Sequence, residues 1–326
     1  MRNELRIGPA GWSYRDWNGV VYPNRRPPGF HEAEYLASFF STIEINSSFY
    51  RPLRPQLSQV WMKKLERFRE FRFTAKLYRA FTHDQRLERR EIQEFCEGLE
   101  PLIDAGKLGC LLMQFPWSFR RTPENRAHLE RLVQAFGQYP LVAEMRHSSW
   151  DCDEALDALS RLGVSFCNID QPQLNHCLGP TAHVTGPIGY VRLHGRNYED
   201  WFRFEEGRLP DGRSGVEARY DYLYSPEQLS KWNARIERIT AQAETTYVIT
   251  NNHFRGQAVV NALQILSEAT GERVLTPPSL IEHYPELNQV AGNLPPQRSL
   301  FFDQRRAPQH RIPPRRIGVA AVYARA

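Results

Sequence analysis

The segment Gly189-Tyr190-Val191-Arg192-Leu193-His194 decides how this chain is read. Side chains of a β-strand alternate between its two faces, so residues two apart point the same way. Val191 and Leu193 share one face, suited to burial under a helix, while Arg192 and His194 share the other. Both polar residues stand at the C-terminal end of the run. The pattern recurs along the chain: Ile43-Glu44-Ile45-Asn46 sets Glu44 with Asn46, and other runs set Thr74 with Lys76, Glu144 with Arg146, and Asn168 with Asp170. Gln114 closes a further apolar run and Asn251-Asn252 another.

Working outward, eight strand-length segments can be marked: Leu5–Pro9, Thr42–Asn46, Phe71–Lys76, Gly109–Phe115, Leu141–Arg146, Val164–Ile169, Gly189–His194 and Thr246–Asn251. Longer amphipathic stretches lie between them, the alternation that implies βα units on a parallel sheet. Thr122-Pro123-Glu124 and Ser225-Pro226-Glu227-Gln228 each offer a capping side chain followed by Pro at the first helical position, and the second has capping-box spacing. Ile92, Phe95, Leu99, Leu102 and Ile103 recur at helical spacing, as do Val259, Ala262, Leu263 and Leu266 before Gly271. Eight βα units in roughly 270 residues match a closed (β/α)₈ barrel. An open doubly wound sheet would have fewer strands and a glycine-rich phosphate turn, and no G-x-G-x-x-G or P-loop is present. The chain is therefore read as one α/β TIM barrel over 1–270, with 271–326 a Pro/Arg-rich extension expected to be partly disordered. The long segment Asn197–Tyr222, rich in Gly, Arg and aromatic residues, is read as a loop over the barrel mouth.

Composition agrees with a globular chain: of 326 residues, 41% are hydrophobic and 24% charged, and no apolar run is long enough to span a membrane. The N-terminus lacks the zones of a signal peptide, so a cytoplasmic location is expected. Five cysteines without a C-x-x-C pair suit reduced thiols. The net charge of +5 comes from the tail, since residues 297–326 hold seven Arg and one Asp, whereas the rest of the chain has 35 basic and 36 acidic residues. A near-neutral body lacks the basic face that duplex DNA requires.

Active sites of barrel enzymes are built at the C-terminal ends of the strands, where these polar residues fall. Burying so many charges is costly unless they are paired, so their convergence points to a ligand site. The favoured reading is an enzyme, a hydrolase or lyase, acting without a cofactor on a small anionic or phosphorylated substrate. Lys76, Arg146, Arg192 and Arg196 would bind the anion. Glu44 and Glu144 would serve as acid and base, and His194 would move a proton near neutral pH. Lys76 as a Schiff-base nucleophile has no support in sequence, where a depressed pKa leaves no mark. Trp12, Asn46, Tyr50, Gln114, Trp150, Asp170, Asn251 and Asn252 complete the candidate binding set.

Two alternatives compete with this reading. A divalent-metal hydrolase would draw ligands from His83, Glu144, His147 and His194, with Asp170 and His253 as further donors, although no H-x-H or H-E-x-x-H spacing joins them. A non-catalytic module for single-stranded nucleic acid or another anionic ligand would use Trp12, Trp17, Phe49, Tyr50 and Trp150 as stacking surfaces beside the arginines. Neither a membrane nor a particular protein partner is indicated.

Several motifs are also shared with a known family. Gly8-Pro9-Ala10-Gly11-Trp12-Ser13-Tyr14-Arg15-Asp16-Trp17, Glu44-Ile45-Asn46-Ser47-Ser48-Phe49-Tyr50-Arg51-Pro52, Gln114-Phe115-Pro116, Glu144-Met145-Arg146-His147-Ser148-Ser149-Trp150, Val191-Arg192-Leu193-His194-Gly195-Arg196, Tyr220-Asp221-Tyr222-Leu223-Tyr224 and Asn251-Asn252 occur in order. Together with Lys76 and Thr82-His83, they resemble the domain-of-unknown-function 72 family, the YecE-like proteins. The resemblance covers about residues 5 to 270 and implies a TIM barrel with some likeness to endonuclease IV-type folds, which would make the metal-dependent alternative a phosphodiester hydrolase, but it attaches no particular reaction. Pro9-Ala10 departs from the Thr or Ser common in the first motif, and the Arg-rich tail lies outside the shared region.

Overall fold

The computed structural model describes residues 3–198 and 218–292. Eight strands form its centre: β1 (Glu4–Pro9), β2 (Thr42–Ile45), β3 (Arg72–Lys76), β4 (Leu108–Gln114), β5 (Leu141–Glu144), β6 (Val164–Asp170), β7 (Ile188–Leu193) and β8 (Thr245–Thr250). Every neighbouring pair is parallel, in the order β1-β8-β7-β6-β5-β4-β3-β2. The two ends of that series meet where Ala10 bridges Glu44 and the Gly11 amide donates to the Glu44 carbonyl at 2.8 Å. The result is a near-closed TIM-like barrel, as the alternation of segments implied. Gly8 permits this seam, because a Cβ there would lie 1.8 Å from the Thr42 carbonyl oxygen.

The helices are α1 (Glu32–Leu36), α2 (Ser47–Tyr50), α3 (Pro55–Lys64), α4 (Arg79–Thr82), α5 (Arg89–Asp104), α6 (Pro123–Phe136), α7 (Asp153–Arg161), α8 (Pro226–Thr240), α9 (Gln257–Thr270) and α10 (Pro278–His283), of which α5, α6, α8 and α9 stand where the caps and the periodicity placed them. Thr122 accepts from the Asn125 amide at the start of α6, and Ser225 and Gln228 form the full capping box of α8. Gly271 ends α9 in the left-handed region at φ 68°. Phe95, Leu99 and Leu102 of α5 are buried, as are Val259, Ala262, Leu263 and Leu266 of α9. Each large side chain so buried contributes ~1.5–3 kcal/mol relative to exposure. Ile103, expected on the same stripe, is instead 40% exposed, because it lies at the edge of the buried face.

Register corrects the reading of β6. Cys167 neighbours Tyr190 and Ile169 neighbours Arg192, so Cys167 and Ile169 face the barrel interior while Asn168 and Asp170 face outward. Their polarity is met outside the barrel: Asn168 Oδ1 accepts from the His183 amide and the Thr181 hydroxyl, and Asp170 is gripped by Arg196. Alternation reveals which residues share a face, but not which face is inside.

Beyond α9 the chain folds back onto the barrel. Val274 bridges Ala291, and Leu280 and Leu287 are fully buried in the common core. The Arg-rich tail lies outside the described residues. So does most of the expected loop, 199–217, although Asn197 Nδ2 at its near end donates to the Ala218 carbonyl at its far end at 2.8 Å. Among the described residues, no helix is long and apolar enough to cross a membrane.

Candidate functional site

Arg192, projecting inward from the end of β7, organises the mouth of the barrel. Its guanidinium forks between two carboxylates, with Nη2 2.6 Å from Glu44 Oε1 and Nη1 2.5 Å from Glu144 Oε2. Nη1 also lies 3.2 Å from Gln114 Oε1. The Glu44 carboxylate receives a second donor, the Tyr190 hydroxyl at 2.9 Å, which in turn lies 2.9 Å from Thr74 Oγ1. Glu144 Oε1 is met by Arg146, with Nε and Nη2 each 3.0 Å away, and by His194 Nε2 at 3.2 Å. Five strands, β2 to β5 and β7, thereby contribute to one buried network, and Glu44, Glu144, Arg192 and His194 have no exposed surface.

This network displaces the proton equilibria of Glu144, His194 and Arg192. Burial alone would raise the Glu144 carboxyl, but Arg192 foremost and Arg146 hold it well below the usual carboxylate range. Burial, reinforced by Arg192, pushes His194 down to about 3. A neutral imidazole fits its partners, with Nε2–H donating to Glu144 and Nδ1 accepting from Asn251 Nδ2 at 3.0 Å. The expectation that His194 titrates near neutral pH is corrected by this burial. Arg192 moves the opposite way, raised by its two carboxylates despite complete burial.

Lys76, at the end of β3, differs from the rest. Its ammonium lies 4.2 Å from the centre of the Phe49 ring, and among the described residues it has no hydrogen-bond acceptor or ion-pair partner. Only 8% of the residue is exposed. Burial first, then the positive charge of Arg192, lowers its pKa to about 7, with Glu44 and Glu144 acting in the opposite sense and Arg146 in the same sense. Arg219, just beyond residues 199–217, adds another cation, whose pKa burial lowers against the opposing effect of Tyr220, with Arg146 acting in the same sense as burial and Glu144 in the opposite sense. Tyr14, Tyr50, Tyr220 and His253 form a rim: Tyr14 stacks on His253 at 4.3 Å and donates to the Ala10 carbonyl, while Asn46 Nδ2 is 3.4 Å from its hydroxyl. Tyr50 is 69% exposed.

Other expected site residues are held elsewhere. Trp12 packs against Trp61 and Phe73, with ring centres 5.0 and 5.7 Å away. Trp150 stacks on Phe119 and donates its indole N–H to the Phe119 carbonyl. Trp17 is fully buried and bonded to the His253 carbonyl. Arg196 and Asp170 satisfy each other on the outer face, and Asn252 Nδ2 donates to the Tyr222 carbonyl and Asn261 Oδ1. The sequence reading missed Tyr190, whose spacing from Arg192 already put it on the inner face, and Arg219, which no local pattern marks.

Of the donors proposed for a metal, Glu144 and His194 meet, but they bond each other, and His83 and His147 do not join them. Among the described residues no group of three or more His, Cys, Asp or Glu side chains is placed to hold one. His147 Nδ1 instead accepts from the Ser149 amide, and its ring stacks over His176. His83 is lowered to about 4 by burial and by Arg146, Lys76 and Arg79, a positive field that would repel a metal cation as it repels a proton. These side chains do not fit a divalent ion.

Fold and site together define a TIM-like barrel with a buried, Arg-centred charge network at its C-terminal mouth. Residues 6–282 match the family described as Protein of unknown function DUF72, and the chain belongs to that family. It is similar to the UPF0759 protein YunF of Bacillus subtilis (strain 168), 29% identical over 275 residues that cover 80% of this chain and 93% of the relative. Among solved structures it is similar to a DUF72 family protein from Thermotoga maritima MSB8, with 30% identity, a TM-score of 0.70, and coverage of 81% of this chain and 98% of that one. It is also similar to a DUF72 family protein from Enterococcus faecalis V583, with 25% identity, a TM-score of 0.68, and coverage of 81% and 94%. The motif resemblance therefore identified the family.

Proposed function

We propose that this chain is an enzyme that binds a small anionic substrate at the barrel mouth through Lys76, Arg146 and Arg219, with Lys76 as the group that transfers a proton. The observation that carries this reading is the Lys76 amine: nearly buried, without an acceptor among the described residues, and facing a site where barrel enzymes react. Charge balance supports it. Among the described residues of the network, two carboxylates face three guanidinium groups, Arg146, Arg192 and Arg219, a local positive surplus before Lys76 is counted. Carboxylate or phosphate oxygens would complete that surplus with charge-assisted hydrogen bonds.

The proton-transfer role moves from the glutamates to the lysine on this reading. Glu144 is held ionised by its donors, and Glu44 is occupied by Arg192 and Tyr190. A lysine with a pKa of about 7 is present in both forms at neutral pH, the condition under which general acid–base catalysis works best. The glutamates then act as positioning residues that hold Arg192.

Calorimetric titration with inorganic phosphate tests the anion site. The wild type is expected to bind, and Arg219→Ala, which leaves Glu44 and Glu144 with their Arg192 bonds, is expected to weaken binding by about tenfold, the loss of one charge-assisted contact. Absence of binding to phosphate, sulfate and small carboxylates alike would overturn the reading.

A further inference from the structure

We propose that the Lys76 amine is a nucleophile that forms a Schiff base with a small carbonyl compound carrying a carboxylate or phosphate group. The inference rests on the anion site described above and names the substrate class for it, with the deprotonated Lys76 amine attacking carbon instead of relaying a proton. Three features of the structure converge on it.

First, Lys76 ends β3 at the barrel mouth, nearly buried, with the Phe49 ring face as its neighbour and no hydrogen-bond acceptor among the described residues to stabilise the ammonium form further. A lysine that is desolvated and set beside other cations is the arrangement that activates an amine toward carbonyls. The groups facing it are Arg192 on β7, Arg146 after β5, Glu44 on β2, Glu144 on β5, and His83 after α4. Second, a guanidinium would serve the site if only positive charge were needed. Only five of the 42 basic residues in the chain are Lys, and Arg192, Arg146 and Arg219 already supply permanent cations. What Lys adds is an amine that can lose its proton, which Arg cannot do. Third, Lys107 provides an internal contrast. It is similarly buried, but it precedes β4 at the opposite end of the barrel and donates Nζ–H to the Phe68 carbonyl at 2.6 Å.

In the reaction, the neutral Nζ lone pair attacks the carbonyl carbon, forming a C–N bond while the C=O π pair moves to oxygen. The proton leaving nitrogen and one proton from solvent pass to that oxygen, which departs as water. The remaining nitrogen lone pair closes the C=N bond, leaving a protonated iminium that carries the positive charge of the proton taken up. Arg146 and Arg219 would hold the anionic end of the same molecule, and no oxidant or reductant enters.

The test uses the full-length protein at neutral pH with pyridoxal 5′-phosphate, an aldehyde bearing a phosphate, and separately with pyruvate. Sodium borohydride is added to reduce any iminium to a stable secondary amine, and the five lysines are mapped by peptide mass spectrometry. The expected result is labelling concentrated on Lys76, at least tenfold over Lys107, with inorganic phosphate protecting it. Lys76→Arg, which keeps the cation, should abolish the labelled peptide. If phosphate binds by calorimetry but neither carbonyl labels Lys76, the Schiff-base inference fails while the anion-site reading stands. If Lys76 is labelled but phosphate neither binds nor protects, the anion-site reading fails, and with it the anionic substrate class. Labelling of Lys76 no stronger than that of Lys63, Lys64 or Lys231 would overturn the special reactivity of the amine.

Discussion

Replacing Lys76 by Met keeps an unbranched side chain in the barrel mouth but removes the buried charge, and the effect on stability depends on pH in a way that can be worked out. Lys76 has a pKa of about 7 in the folded protein against an ordinary 10.5, and burial is the principal cause. Below pH 7 both folded and unfolded chains carry the charge, so the folded state bears the full cost of burying it. Above 7 the folded protein has released the proton while the unfolded chain still holds it, so unfolding becomes less favourable as pH rises. At ~1.36 kcal/mol per pH unit the whole interval amounts to about 5 kcal/mol. Lys76→Met should therefore be more stable than the wild type in mildly acidic buffer. Its advantage should shrink by about 2 kcal/mol between pH 7 and pH 9. Urea unfolding of both proteins across that range measures the difference, and the other titrating groups cancel in it. Phosphate must be left out of the buffers, because a bound anion would raise the Lys76 pKa. A difference that stays constant to within about 0.5 kcal/mol across the range would show that the amine is not desolvated, and the basis for its proposed reactivity would be lost.

Arg192→Met should be among the most destabilising single changes, by ~3–5 kcal/mol, because it leaves Glu44 and Glu144 buried without their shared cation. Urea denaturation measures the loss, and adding Glu44→Gln with Glu144→Gln should recover part of it; a cost under about 1 kcal/mol would contradict the network. Gly8→Ala should weaken the barrel seam, since its methyl would meet the Thr42 carbonyl, and hydrogen exchange should accelerate selectively in β1 and β2. Unchanged exchange at that seam, with an unchanged melting temperature, would rule out the close approach.

Much of the fold was legible before any contact was known. The alternation Ile43-Glu44-Ile45 and Tyr190-Val191-Arg192-Leu193 marked strands with one apolar face, and the Ser225-Pro226-Glu227-Gln228 cap and Gly271 marked where helices begin and end. These are local signals, set by the two periodicities and by backbone groups that need partners at helix ends. Because those polar residues cluster at strand C-termini, the location of the candidate site could also be read from the sequence.

Tertiary structure decided which face was inside and which charge met which. Asn168 and Asp170 share a face as their spacing implied, but register turns that face outward, where Arg196 receives Asp170. Glu44 and Arg192, 148 positions apart, meet only because the sheet curls until their strands oppose each other across the barrel. Sequence thus determined the repeating units and the kinds of side chain at their ends. The pairing that saturates both glutamates, and leaves Lys76 as a nearly buried amine without an acceptor among the described residues, depends on strand phase and barrel closure, because burial and electrostatic fields are properties of distances across the fold rather than along the chain.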